Sequence, residues 1–177
     1  MPDLVAMSPS IRTVSDRLIN ILWPEAAVVD INDIAHSLSL QCRYNGHVSE
    51  HYNVAHHSVI VSQHCPKEDA LWGLLHDASE AYLGDVNSPL KSVLGMYKVI
   101  EKRHMNAICK AFGLPAEEPK GVWVADKEVY LAEERDLRNR TVVREGLVAY
   151  PSRIVPLSSG VSKAAFLARF DQLMSRR

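Results

Sequence analysis

The sequence predicts an all-α, compact single-domain helical bundle over residues 1–177. Three observations predict it. Apolar residues return at three- and four-residue intervals in one segment after another, which is the period of a helix that buries one face. A length of 177 residues with 47% hydrophobic residues builds one sizeable core and would be stretched to build two. No internal repeat or low-complexity segment interrupts the pattern.

Ser8-Pro9-Ser10 opens the first expected helix, with Ile11, Val14, Leu18 and Leu22 as its buried stripe and Trp23-Pro24 as its end. Asp30 caps the next, in which Ile31, Ile34, Ala35 and Leu38 face the core. Arg43-Tyr44-Asn45-Gly46 breaks the period and reads as a loop, with Asn-Gly as the turn signal. A helix from about Glu50 to Gln63 and another from about Lys67 to Tyr82 follow, joined at the corner Cys65-Pro66. The stretch Asp85-Val86-Asn87-Ser88-Pro89-Leu90-Lys91 is irregular. A long helix then runs from about Tyr97 to Phe112 and is closed by Gly113 and Pro115, with Lys98, Glu101, Lys102, Arg103 and Lys110 as a solvated face. Lys120-Gly121 leads into a helix that carries Asp126, Tyr130, Leu131 and Leu137. Residues 138–159 are punctuated by Gly, Pro and Ser, with a brief strand expected at Thr141-Val142-Val143. Val161 to Met174 forms the last amphipathic helix, and Arg176-Arg177 a frayed tail.

The chemistry concentrates in Leu74-Leu75-His76-Asp77-Ala78-Ser79-Glu80-Ala81-Tyr82-Leu83-Gly84-Asp85, where an apolar helical pattern carries an imidazole, a carboxylate beside it and two further acids. Neighbours on a helix are rotated by roughly 100°, so His76 and Asp77 reach one ion only if it sits between their directions. Leu71, Leu74, Leu75, Ala78 and Ala81 supply the buried face that would hold the pair, and Gly73 leaves room for a neighbouring element or a ligand. Alone, a His-Asp pair is more often a cap or a satisfied hydrogen-bonded couple. Its company changes the reading. His57 lies eight residues before the Cys65 corner and His76 eleven after it, so in an antiparallel pair the two differ by only about 4.5 Å of rise. Val54 and Val61 share the face of His57 and bury it. Asp126 stands in the otherwise apolar run Val122-Trp123-Val124-Ala125. His57, His76, Asp77 and Asp126 then make a nitrogen and oxygen donor set suited to a divalent transition metal (zinc, cobalt, manganese, iron or nickel) with positions left for water. His47, His51, His56, His64 and His104 have no comparable partners and read as surface or supporting residues.

The remaining features exclude function classes. A net charge of -1 argues against coating a nucleic-acid polymer, so any phosphate chemistry is local. Cys42, Cys65 and Cys109 lack the close spacing of a thiolate zinc site and read as reduced thiols. Met1-Pro2-Asp3-Leu4 has neither a basic nor an apolar leader region, and no run approaches 18 apolar residues, so a cytoplasmic protein without membrane contact is expected. There is no Walker-type phosphate loop and no Ser-His-Asp set.

In the order His57, His76-Asp77, Asp126 the chain resembles the HD-domain phosphohydrolases, over about residues 43–136. Within them it is most similar to the small bacterial and phage deoxynucleotide hydrolases, through His76-Asp77-Ala78-Ser79-Glu80, Gly84-Asp85 and Pro89-Leu90-Lys91. It departs in carrying His56 where relatives commonly have Glu or Gln, and Tyr44 where the deoxynucleotidases have Trp. The resemblance implies an HD-type fold, Glu80 and Asp85 acting at the reacting phosphate, Arg43 and Lys91 holding phosphate oxygens, and Tyr44 against the sugar. It also implies a homo-oligomer acting on a small deoxynucleotide. The favoured activity is removal of triphosphate from a dNTP such as dATP. A 5'-deoxynucleotidase acting on dNMPs is the alternative, and a non-catalytic nucleotide-binding HD sensor the alternative of another class.

Overall fold

The computed structural model describes residues 9–176. The expectations placed on residues 1–4, on Ser8 and on Arg177 lie outside that range. Within it the architecture is all-α, apart from one small hairpin that replaces the first expected helix. Strand β1 (Ser10–Arg12) pairs antiparallel with β2 (Leu18–Asn20), with Ile11 opposite Ile19. The helical spacing of Ile11, Val14, Leu18 and Leu22 misleads because a long-range contact fixes the intervening turn. Asp33 accepts hydrogen bonds from the Ser15 amide at 3.1 Å and its hydroxyl at 2.6 Å. Asp16 takes a left-handed φ of 65°, which no helix interior accommodates. Val14 and Leu18 are left exposed and only Ile19 is buried.

Helix α1 (Ile31–Leu40) starts as expected, the Asp30 side chain accepting from the Asn32 amide, and buries Ile34, Ala35 and Leu38. The next helix begins later than expected. The Arg43 amide donates to the Tyr52 carbonyl (2.8 Å) and the Val54 amide to the Gln41 carbonyl (3.1 Å), an antiparallel bridge between Cys42 and Asn53 that keeps the chain out of the helix up to Asn53. Helix α2 (Val54–His64) therefore starts after Asn53, whose side chain accepts from the His56 amide. It is buried from Val54 through Ser62, so it packs on all sides. One apolar cluster, built with Ile34, Leu38, Leu74, Ile108 and Phe166, covers one side. Another, with Tyr52, Trp72, Val122, Val129 and Ile154, covers the other.

The expected helix from Lys67 to Tyr82 is divided. A 3-10 turn (Lys67–Asp69) leads into α3 (Ala70–Leu75), and α4 (Glu80–Leu83) resumes four residues later. Between them hydrogen bonds tighten to i→i+3, from Ala78 to Leu75 and from Glu80 to Asp77. His76-Asp77 sits on that break. The region after Gly84 is more ordered than expected: α5 (Ser88–Val93) forms with Asn87 as its cap and Pro89 in its first turn, and it carries Lys91. Helix α6 (Tyr97–Phe112) has the expected bounds and ends at left-handed Gly113. Helix α7 (Lys120–Leu137) carries Asp126, and α8 (Ser159–Met174) closes the bundle against α1 and α2.

Residues 138–158 contain no helix or strand. The expected strand Thr141-Val142-Val143 does not pair, because this segment spends its hydrogen bonds on α7. The Val148 amide donates to Glu128 Oε1 (3.1 Å), the Tyr150 amide to the Glu128 carbonyl (2.9 Å) and the Ile154 amide to Asp136 Oδ2 (2.8 Å). Val143 is left fully in solvent.

Candidate metal centre

The centre forms where α2, the break after α3 and α7 meet. Gly73 lets the first two approach: a Cβ placed on it would stand 2.8 Å from Cys65 Sγ and 3.3 Å from the Ser62 Cα, so the room it leaves is filled by α2. The two imidazoles are level, as the helix count expects, with His57 Nε2 and His76 Nε2 only 3.2 Å apart. Asp126 Oδ1 lies 3.2 Å from His57 Nε2 and 3.9 Å from His76 Nε2. One donor atom from each of these three residues falls within 4.8 Å of the others, a group that can hold a metal ion. Asp77 Oδ2 borders it, 3.2 Å from His76 Nε2 and 3.6 Å from His57 Nε2.

The outer nitrogens decide that this group fits a cation. His76 Nδ1 lies 2.8 Å from the Gly73 carbonyl, which can only accept, so Nδ1 carries the proton. His57 Nδ1 lies 2.6 Å from Glu133 Oε1, a fully buried carboxylate that likewise accepts. In the neutral rings both Nε2 atoms then present bare lone pairs to each other at 3.2 Å, with two carboxylates alongside. Such a cluster requires a proton or a metal ion, and carboxylate or carbonyl partners on the far nitrogens are what metal-binding histidines use.

The protonation equilibria follow the same logic. Burial opposes charging of His76, but the adjoining Asp77 and Asp126 carboxylates overcome it and raise its pKa to about 9. Burial likewise works against the Asp77 and Asp126 anions, yet the two imidazoles hold both pKa values below the ordinary carboxylate range. Glu133 is desolvated and still drawn down to about 2 by Arg43 and His57.

Glu133 is the site residue that sequence reasoning missed. It accepts from Arg43 Nη2 (3.1 Å), from the Tyr44 hydroxyl and from His57, so it ties the Arg43 loop to the centre. Glu133 stands seven residues after Asp126 and three after Tyr130, on one stripe of α7, but it heads the charged run Glu133-Glu134-Arg135-Asp136, so its spacing alone does not set it apart from a solvated acid. Arg43 is more committed than expected, because it also reaches Asp77 at 3.4 Å. Lys91 is held at 2.6 Å by Glu101, a residue the α6 pattern placed on a plain solvated face, and lies 3.4 Å from Glu80 Oε1. Glu80 is 4% exposed, and its Oε2 has no protein partner among the described residues. Burial, together with the nearby Asp77 and Asp85, raises its pKa well above the carboxylate range. Burial also raises that of Asp85.

Arg43, Tyr44, Asp77, Glu80, Asp85, Lys91 and Asp126 all line one cavity of about 680 Å³. Of the other histidines, His56 and His104 are buried rather than superficial. Desolvation lowers the pKa of His56 to about 4, and His104 Nε2 donates to the Ile21 carbonyl (2.9 Å). Cys42, Cys65 and Cys109 are free thiols.

No protein-family model matches the chain. The uncharacterized protein YfdR of Escherichia coli K12 is 40% identical over 152 residues, which cover 83% of this chain and 85% of YfdR. The chain belongs to the YfdR family. An uncharacterized protein of Rhodobacter capsulatus is also similar, 36% identical over 118 residues, or 61% of this chain and 60% of that protein. Among the described residues no helix is long and apolar enough to cross a membrane.

Proposed function

We propose that this protein is a metal-dependent phosphohydrolase of 2'-deoxynucleotides. The observation that carries the reading is the pair of bare imidazole nitrogens facing two carboxylates at the wall of a cavity that is also lined by several cations and by a buried acid, Glu80, one of whose oxygens has no protein partner among the described residues. His57, His76, Asp77 and Asp126 would hold a divalent ion of the zinc, cobalt, manganese, iron or nickel type, since imidazole and carboxylate donors suit all five. Such an ion supplies hydroxide near neutral pH, by lowering the pKa of bound water from about 15.7 toward about 7, and polarises a phosphoryl oxygen.

The chain's own groups divide the rest of the work. Glu80, kept protonated by burial and by its acidic neighbours, positions a proton at the cavity wall for the departing 5' oxygen and can take one from water on the return step. Lys91 stands beside it and offsets charge on the phosphate oxygens. Arg43 keeps Asp77 and Glu133 ionised and turned toward the centre. The Tyr44 hydroxyl is tied down by Glu133, so its ring is a fixed wall against which a 2'-hydroxyl would crowd.

The favoured substrate is a deoxynucleoside triphosphate such as dATP. Water attacks the α-phosphorus, the bond to the 5' oxygen breaks, and deoxynucleoside and triphosphate leave. A panel of deoxy- and ribonucleotides assayed with each metal, with products separated by chromatography, tests this. Inorganic triphosphate from dATP supports the reading, and phosphate from dAMP with dATP untouched makes the protein a 5'-deoxynucleotidase. No turnover of any deoxynucleotide while nucleotide still binds leaves a sensor module. Asp77→Ala checks the ligand set: metal content and turnover should both be lost with the fold intact. Full metal occupancy in that variant removes Asp77 from the site.

A further inference from the structure

Arg43 and Lys91, the two cations expected to meet phosphate, are already engaged: Arg43 by the Asp77 and Glu133 carboxylates, and Lys91 by Glu101 at 2.6 Å, with the Glu80 carboxyl 3.4 Å away. Lys91 beside the centre can serve one phosphate, and a triphosphate carries further negative charge that this pair does not meet. The same cavity is lined by three further cations, Lys127, Arg138 and Arg144, which come from α7 and the segment that follows it. Lys127 is next to the metal-binding Asp126 and contacts its Oδ2 at 2.7 Å. Arg138 lies 4.8 Å from the centre of the Tyr44 ring, Tyr44 and Tyr130 lie 6.5 Å apart, and Arg144 lies 5.3 Å from the centre of the Tyr130 ring. Two guanidinium groups are thus backed by a pair of aromatic rings along the cavity wall.

Backing by a ring orients a guanidinium without using its N–H edge, which is the part that grips phosphate oxygens two at a time. Arg144 makes no ion pair with any described residue, and Arg138 is paired only with Glu134, at 2.5 Å. The arginines are also held in place. Glu128 and Arg135 pin the segment from Val148 to Ser152 to α7, so the loop carrying Arg144 is tied down at its far end. Arg138 follows the last turn of the same helix.

We propose that Lys127, Arg138 and Arg144 form a subsite for the phosphates beyond the scissile one, which selects a triphosphate over a monophosphate. This rests on the nucleotide-hydrolase reading of the cavity, with the metal-binding centre at one end and the Tyr44–Tyr130 wall leading away from it. The α-phosphate meets the centre, and the β- and γ-phosphates follow the guanidinium edges.

The test is calorimetric titration of the full chain, with magnesium in excess so that inorganic tripolyphosphate is added as its magnesium complex, alongside orthophosphate and deoxyadenosine. Wild type should bind tripolyphosphate at least about tenfold tighter than orthophosphate, the scale of one charge-assisted contact. Arg144→Ala should remove most of that preference, and Arg138→Ala/Arg144→Ala all of it, with orthophosphate changed by less than about threefold. Arg138→Ala strips Glu134 of its cation and risks the fold, whereas Arg144 is exposed and unpaired, so the single variant keeps the test decisive. Equal binding of the two phosphates by wild type overturns the subsite, as does a loss confined to deoxyadenosine, which makes the wall a base platform. Hydrolysis of dNMPs and dNTPs alike overturns the subsite but not the reading of the cavity. A protein that hydrolyses no deoxynucleotide yet keeps the Arg144-dependent preference overturns that reading and leaves the anion subsite standing.

Discussion

Glu80 and Glu133 are both buried carboxylates, and their surroundings drive them in opposite directions. Glu133 faces a guanidinium, an imidazole and a hydroxyl, which draw its pKa down, while burial and the neighbouring Asp77 and Asp85 push that of Glu80 up. On the proposed hydrolase reading, one would serve as a fixed anion and the other as a proton store. Glu80→Gln should keep the metal and lower turnover by about 10² to 10⁴-fold, the usual worth of a positioned acid–base group. A variant that loses its metal and recovers full rate when metal is added back would make Glu80 a support for the ligands instead. Glu133→Gln should act through His57 and Arg43. Metal affinity should fall by about 10- to 100-fold, as for other partners that orient a metal-binding histidine. Stability should fall with it, because a buried guanidinium loses its counter-ion. Unchanged affinity in a metal titration of that variant would show that Glu133 is not what orients His57.

At the scale of elements, the distance between His57 and His76 is set by how closely α2 and α3 approach, and Gly73 sets that approach. A methyl at Gly73 would press on the Ser62 backbone, which cannot swing aside as the Cys65 thiol can. Gly73→Ala should cost about 1–3 kcal/mol of stability by overpacking and weaken metal binding through the spread imidazoles. Thermal unfolding and a metal titration read the two effects, and a variant with wild-type values in both would show that the helices tolerate the methyl without moving. Helix α7 is the other organising element. Asp126, Tyr130 and Glu133 fall on one of its faces, so a single helix supplies a candidate ligand, a cavity wall and the anchor for the Arg43 loop.

For the whole molecule, the centre couples metal, proton and stability. In the metal-free protein His76 has a pKa raised from 6.5 to about 9, so its protonation stabilises the fold fully below pH 6.5, and that contribution is lost as pH rises through about 9. A metal ion competes with that proton. Its affinity should therefore climb by about tenfold per pH unit between pH 6.5 and pH 9. The fall in melting temperature on adding a chelator should widen over the same interval, since toward pH 9 a chelated cluster is losing its proton as well as its metal. A chelator effect that stays constant or narrows between those pH values would contradict the proton-or-metal account of the His57–His76 pair.

The sequence by itself determined the elements whose signals are local. Asp30 and Gly113 mark helix ends through short-range hydrogen bonding and left-handed backbone, and the stripes of α1, α6 and α8 follow from the 3.6-residue period alone. It also determined that His57 and His76 stand level, because two antiparallel helices joined at a short corner leave only their residue counts to vary. Tertiary structure decided what depends on partners distant in the chain. Asp33 reaches across to Ser15 and turns a helix-like spacing into a hairpin. The Gln41–Arg43 segment pairs with residues 52–54 and delays α2. Glu133 becomes the keystone of the site only once α2, α7 and the Arg43 loop meet around it, since a glutamate in a helix has no local feature that distinguishes a solvated side chain from a buried one with three donors. Periodicity reports which face of an element is buried; the partners that a buried charge will find are set by the packing of elements whose separation in sequence carries no local free-energy signal.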